Sequence, residues 1–272
     1  MKFAICNEIF EGWKIDDTMA YAARTGYGAI EISPFTLAAR AGDVGAAERR
    51  RLRETAARAG IEIAGLHWIL ARTEGFHLTT ADTAVRARTA DYLTEIVRLC
   101  ADLGGTRVIL GSPKQRNLEP GVELAQGWAW AQAALRPAIA AAAGAGVVIC
   151  LEPLPAEDTN FINTAAEAVR FVEEADSPAL QVILDVRAMS HEEKPIPQLI
   201  AETQVHLAYV HANDRNLKGP GFGAVDFKPI AAALRAAGYD GTVSVEVFTF
   251  EEGPEAIATR SLEYLRQTFG AG

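Results

Sequence analysis

The sequence predicts an α/β fold, a single (β/α)8 barrel over residues 1–272, and three observations carry that reading. Short apolar, β-prone runs alternate along the whole chain with helix-length segments that are amphipathic or rich in Ala. Four of the runs, VVICLEP, LQVILDVR, LAYVHA and TVSVEVF, each deliver one polar side chain near the C-terminal end: Glu152, Asp185, His211 and Glu246. These residues are 33, 26 and 35 positions apart, so one falls in each successive unit of about 30 residues, the length of a strand with its return helix. A doubly wound open sheet is the alternative, but no GxGxxG follows the first run.

In order, Phe3 to Cys6 reads as the first strand, and Ile15 to Thr25 as a helix with Asp16 and Asp17 at its positive N-terminal end and Gly26 as its stop. Ala29 to Ile32 is the second strand, and Gly45 to Ala59 the helix closed by Gly60. Ile61 to Leu66 is the third strand, ending at His67-Trp68; a long loop leads to a helix over Asp82 to Leu103, stopped by Gly104-Gly105. Arg107 to Leu110 is the fourth strand, and Val122 to Ala143 an Ala-rich helix able to lie close to a sheet. After the Glu152 strand, Asn163 is the expected cap of a helix over Thr164 to Ala175, with Glu167 completing the start signal. Pro197 to Thr203, Phe227 to Ala237 and Pro254 to Phe269 follow the last three strands.

Apolar side chains make up 49% of the 272 residues, enough for one large core. Asp and Glu total 35 against 26 Lys and Arg, a net charge of -9, which opposes a broad nucleic-acid or anionic-membrane footprint. The start MKFAICNEIF is too short an apolar run for a signal peptide, and no run of about 18 apolar residues suggests a span, so a cytoplasmic location is expected. Cys6, Cys100 and Cys150 lie far apart in apolar runs and read as reduced packing residues.

In a (β/α)8 barrel the strand C-termini share one mouth, so Glu152, Asp185, His211 and Glu246 converge there. Three carboxylates resist joint ionisation in one buried place unless a cation is present. Oxygen-rich ligation with one nitrogen suits Mn²⁺, Mg²⁺ or Co²⁺, and four protein ligands leave two positions open for water or substrate oxygens. Trp13, His67 and Trp68 are placed to line the mouth as substrate contacts, where an aromatic face packs on a sugar. Asp214 and Arg215, just past the candidate metal His, are expected to orient substrate hydroxyls or a charged group. Glu31, near the end of strand two, could orient a ligand or bind substrate, though the structural reading leads for it. His206 belongs to the opposite face, and His77 and His191 to loops.

With EPL at Glu152, LDV at Asp185, VHAND at His211, VEVF at Glu246 and GPGFGAVDF between the last two, the chain resembles the xylose-isomerase-like TIM-barrel superfamily. Within it, the chain is similar to the sugar isomerase/epimerase branch that holds the D-tagatose and D-psicose 3-epimerases. The resemblance implies one divalent ion, commonly Mn²⁺ or Co²⁺, held by Glu152, Asp185, His211 and Glu246, with the two Glu residues doubling as acid/base groups. Mn²⁺ is the expected ion, with Co²⁺ or Mg²⁺ as alternatives. The resemblance also implies a homo-oligomer, dimer or tetramer. The chain departs from the pattern at Ala188, where those enzymes carry a substrate-contacting His. It departs again beyond His211, where the family's Arg is out of register and Arg215 or Lys218 would have to stand in.

The expected activity is therefore proton transfer beside the carbonyl of a ketose or related keto-sugar, through an enediolate. A metal-dependent lyase or dehydratase of a keto-sugar or keto-inositol would use the same proton abstraction, and Ala188 leaves room for it. An abasic-site endonuclease of the same superfamily would want more His ligands and a basic surface, which five His and a charge of -9 oppose. A non-catalytic sugar-binding role is the remaining class.

Overall fold

The computed structural model describes residues 1–270, so the last two residues of the expected 1–272 domain lie outside the described residues. Eight parallel strands close into a barrel in sequence order: β1 (Lys2–Cys6), β2 (Ala29–Ile32), β3 (Glu62–Leu66), β4 (Arg107–Leu110), β5 (Val148–Leu151), β6 (Leu180–Asp185), β7 (Leu207–Ala212) and β8 (Thr242–Val245). Closure is made by β8 on β1, with Phe3 opposite Val243 and Ile5 opposite Val245. Helices follow the strands: α1 (Ile15–Thr25), α2 (Ala46–Ala59), α3 (Thr83–Leu103), α4 (Leu124–Ala145), α5 (Ala165–Ala175), α6 (Val186–Met189), α7 (Ile196–Thr203), α8 (Phe227–Ala236) and, after β8, α9 (Pro254–Phe269).

The expected boundaries differ by a residue or two, as frayed ends do. The sequence misplaces the cap of α5. Thr164 rather than Asn163 is the N-cap, accepting from Glu167 N, while Asn163 spends its amide on the carbonyls of Leu154 and Thr159. The one-turn α6 is also absent from the sequence reading; Asp185 ends β6 and caps it, its Oδ1 accepting from Ala188 N at 2.7 Å. That turn begins within a strand-like apolar run, so periodicity hides it.

Most of the apolar core lies between barrel and helices, while a smaller cluster of Ile109, Cys150, Ile183 and Tyr209 plugs the inside of the barrel. Because successive strand side chains alternate faces, each plug residue predicts the next inward position two residues on. From Cys150 that is Glu152, from Ile183 Asp185, from Tyr209 His211. The candidate site is thus the next layer above the plug, at the C-terminal mouth. All three cysteines are buried and free, and burial pushes the Cys100 and Cys150 thiols up to about 12, so they are packing groups.

Candidate active site

Glu152, Asp185, His211 and Glu246 each present a ligand atom to one cluster in which all four atoms lie within 4.8 Å of one another. Strand pairing produces it: Asp185 sits opposite His211, and His211 opposite Ser244, two residues before Glu246. His211 Nδ1 is 3.1 Å from Glu246 Oε2 and 3.9 Å from Glu152 Oε1, yet it makes no hydrogen bond although fully buried. Its Nε2 lies 3.2 Å from both oxygens of Glu31, itself 0% exposed. A carboxylate on one ring nitrogen turns the other toward a cation, the usual support of a metal-binding imidazole. Glu31 is thus placed behind His211, 180 residues away in the sequence, where it can orient that ligand.

The remaining ligand groups are held in turn. Asn213 Nδ2 donates to Asp185 Oδ2 at 2.5 Å, and Trp68 Nε1 donates to Glu246 Oε1 at 2.8 Å. Gly111 on the end of β4 lies against Glu152; a Cβ there would come 2.2 Å from its Oε2. Arg116, also buried, donates to the Glu152 carbonyl at 2.7 Å. Burial, with Glu246 and Asp185 nearby, pushes Glu152 up to about 8, and burial with Glu246 pushes Asp185 up to about 6. For Glu246 burial acts in the same direction, but the His211 and His67 imidazoles outweigh it and hold that carboxyl below its usual range. Three crowded carboxylates and an unpartnered imidazole nitrogen are a donor set that fits a divalent cation.

A cavity of about 690 Å³ opens over this cluster, bordered by Glu152, Asp185, Glu246, Trp68, Arg187 and Phe248 among others. Among the described residues six non-glycines have positive φ, and four of them, Trp68 (48°), Arg72 (58°), Ser112 (29°) and Leu217 (70°), border this cavity. Backbone strain is concentrated where functional side chains must be aimed against local preference. The rings of Phe35, Trp68 and Phe248 stack in series at centroid spacings of 6.2 Å. Arg72 lies 4.4 Å over the ring of Phe35 and Arg187 5.4 Å over that of Phe248, so a cation stands on each of these two rings.

Of the expected substrate contacts, the structure brings Trp68 to the large cavity. Trp13 borders a separate, smaller cavity beside it. His67 is 0% exposed behind Glu246, with Nε2 2.7 Å from Glu8 Oε2; burial disfavours its charge, but Glu8 and Glu246 outweigh that and raise it to about 10. Asp214 turns away, accepting from Val225 N at 2.9 Å beneath Gly223, and organises the β7–α8 loop. Arg215 is exposed and borders neither cavity, and Lys218 is taken up by Glu252 and Glu251. In their place Arg187, Arg72 and Lys114 are the cations at the cavity. Arg187 is held by Asp158 at 2.7 Å and Glu157 at 2.8 Å. Its position two residues after Asp185 was the one available signal, and only the turn of α6 gives it direction.

Fold and site together define a (β/α)8 barrel with a buried carboxylate–imidazole centre at its mouth. The chain belongs to the xylose isomerase-like TIM barrel family, whose pattern matches residues 19–268. Among its relatives, L-ribulose 3-epimerase of Mesorhizobium japonicum is 33% identical over 186 residues, covering 68% of this chain and 62% of that protein. The 3-dehydro-D-guloside 4-epimerase of Escherichia coli is 36% identical over 125 residues, 46% of this chain and 48% of its own. The chain thus spans about three-fifths of the length of the first relative and about half of the second. The crystal structure of D-psicose 3-epimerase with D-tagatose from Clostridium cellulolyticum H10 superimposes with a TM-score of 0.85 at 21% identity, covering 99% of each chain, a likeness of fold. Among the described residues no helix is long and apolar enough to cross a membrane.

Proposed function

We propose that the protein is a divalent-metal-dependent sugar epimerase that moves a proton at the carbon beside the carbonyl of a ketose or keto-sugar. One observation carries the reading: Glu152 and Glu246, reaching in from β5 and β8, both border the large cavity while sharing a cluster with Asp185 and His211. The epimerase relatives support it. A cation held by these four residues, Mn²⁺ being our choice with Co²⁺ or Mg²⁺ as alternatives, would supply positive charge beside the carbonyl oxygen and its neighbouring hydroxyl. Asp185, with both oxygens already hydrogen-bonded by Ala188 N and Asn213, serves to hold rather than to react. Of the two Glu residues, one takes the carbon-bound proton and the other returns a proton on the opposite face, through an enediolate. The Trp68 indole N–H keeps Glu246 aimed, and the Trp68 and Phe248 rings border the cavity where the apolar face of a sugar packs. We take the protein to act in the cytoplasm as a homo-oligomer, dimer or tetramer, which light scattering on a sizing column tests directly.

The test is purification with Mn²⁺, measurement of bound metal, and incubation in D₂O with free ketoses and 3-keto-sugars while carbon-bound deuterium is followed by NMR. Metal-dependent uptake giving an epimer of unchanged composition is expected, and Glu246→Gln should lower it about 10²- to 10⁴-fold. Loss of a substituent would instead identify a lyase. Full turnover by Glu246→Gln with metal bound would overturn the assignment.

A further inference from the structure

The large cavity is too big for one sugar ring, and it has a neighbour. A hexose has twelve heavy atoms; even at the liquid-water share of about 30 Å³ each they fill about 360 Å³, roughly half of the space above the carboxylates. Beside it lies a second cavity of about 240 Å³, and Trp68 and Arg72 border both. Both of these shared residues have positive φ, so the backbone is strained where the two spaces meet.

The smaller cavity has the chemistry of a carbohydrate subsite. Five of its thirteen lining residues, Phe10, Trp13, Phe35, Trp68 and Phe250, are aromatic, against 8% of the chain. Trp13 is 36% exposed, yet its ring is fixed edge-on by Phe10 and Tyr21, each with centroids 5.4 Å away. A ring already held in place loses little entropy when a ligand packs on it. The polar part is Glu8. Its Oε2 is taken by His67 and Ser33, whereas Oε1, in a residue only 7% exposed, has no hydrogen-bond partner. A buried acceptor left open in a cavity wall is costly unless a ligand donor meets it. Arg72, held over Phe35 and in no ion pair among the described residues, offers donors at the junction.

We propose that the substrate is a keto-glycoside larger than one ring, a keto-disaccharide. Its keto-sugar reacts at the Glu152–Asp185–His211–Glu246 centre, and its second sugar lies in the aromatic side cavity, giving a hydroxyl hydrogen bond to Glu8 Oε1. This rests on the epimerase reading and specifies its substrate class. A free ketose would leave the side cavity unused.

The experiment compares metal-loaded protein on two substrates with the same reacting ring, a 3-keto-disaccharide and the methyl glycoside of that 3-keto-sugar, by deuterium uptake. The expected ratio of kcat/KM is about tenfold or more in favour of the disaccharide, the worth of one good aromatic contact and hydrogen bond. Trp13→Ala and Phe250→Ala should each reduce that ratio severalfold, at unchanged metal content and circular dichroism, and saturation-transfer NMR should mark protons of the second ring. A ratio near one in the parent protein, or a ratio that neither variant moves, overturns the proposal. Exchange on free ketoses alone overturns it while leaving the epimerase reading intact, and no exchange on any substrate with stoichiometric metal overturns both.

Discussion

Glu31→Gln isolates the carboxylate behind the metal-competent imidazole. Glu31 is fully buried on β2, and both its oxygens stand 3.2 Å from His211 Nε2. It therefore holds the hydrogen on Nε2 and leaves Nδ1 free to face Glu152 and Glu246. Gln keeps the shape and one acceptor but removes the charge that makes the imidazole a stronger donor. The loss of such a partner costs about 10- to 100-fold in metal affinity, or about 1.4–2.8 kcal/mol. Chelator competition for Mn²⁺ measures it directly, with calorimetric unfolding of the metal-free protein as the control for folding. Affinity within twofold of the parent, in a variant that unfolds at the same temperature, would refute the idea that Glu31 acts through His211.

Three further outcomes are expected. Gly111→Ala brings a Cβ within 2.2 Å of Glu152 Oε2, so that carboxylate must move; metal content and deuterium exchange should both fall while far-ultraviolet dichroism is kept. In the metal-free site Glu152 is raised to about 8 and Asp185 to about 6, so the folded chain holds protons there that the unfolded chain releases. Stability of the metal-free protein should accordingly fall as pH rises from the ordinary values of 4.5 and 3.8 toward those raised ones. Mn²⁺ affinity should rise over the same window, with proton release seen by titration calorimetry in buffers of different ionisation enthalpy. Away from the site, Phe171 is 0% exposed and packs edge-on against Trp128 at 5.0 Å and Phe161 at 6.4 Å; Phe171→Ala should cost about 3–5 kcal/mol in chemical denaturation.

What the sequence by itself determined is local or topological. Apolar runs and the glycines at 26, 60 and 104 mark strands and helix ends because burial and left-handed caps act within a few residues, and all three glycines do cap their helices at positive φ. Glu152, Asp185, His211 and Glu246 were legible for a related reason: once strands are parallel and closed in order, a side chain near a strand's C-terminal end has only one mouth to face.

Only the tertiary structure decided which neighbours of these residues reach the cavity. Asp214 and Arg215 follow His211 in sequence yet turn away, because the loop closes on itself through Val225 N and aims Leu217 inward at a φ of 70°. Arg187 comes to the cavity because Asp185 caps a single helical turn after β6. Glu31 and Glu8 matter through contacts with His211 and His67, residues 180 and 59 positions away. Loop dihedrals and long-range side-chain pairs are set by packing that periodicity does not encode, whereas the alternation along a strand carries its inward residues with it.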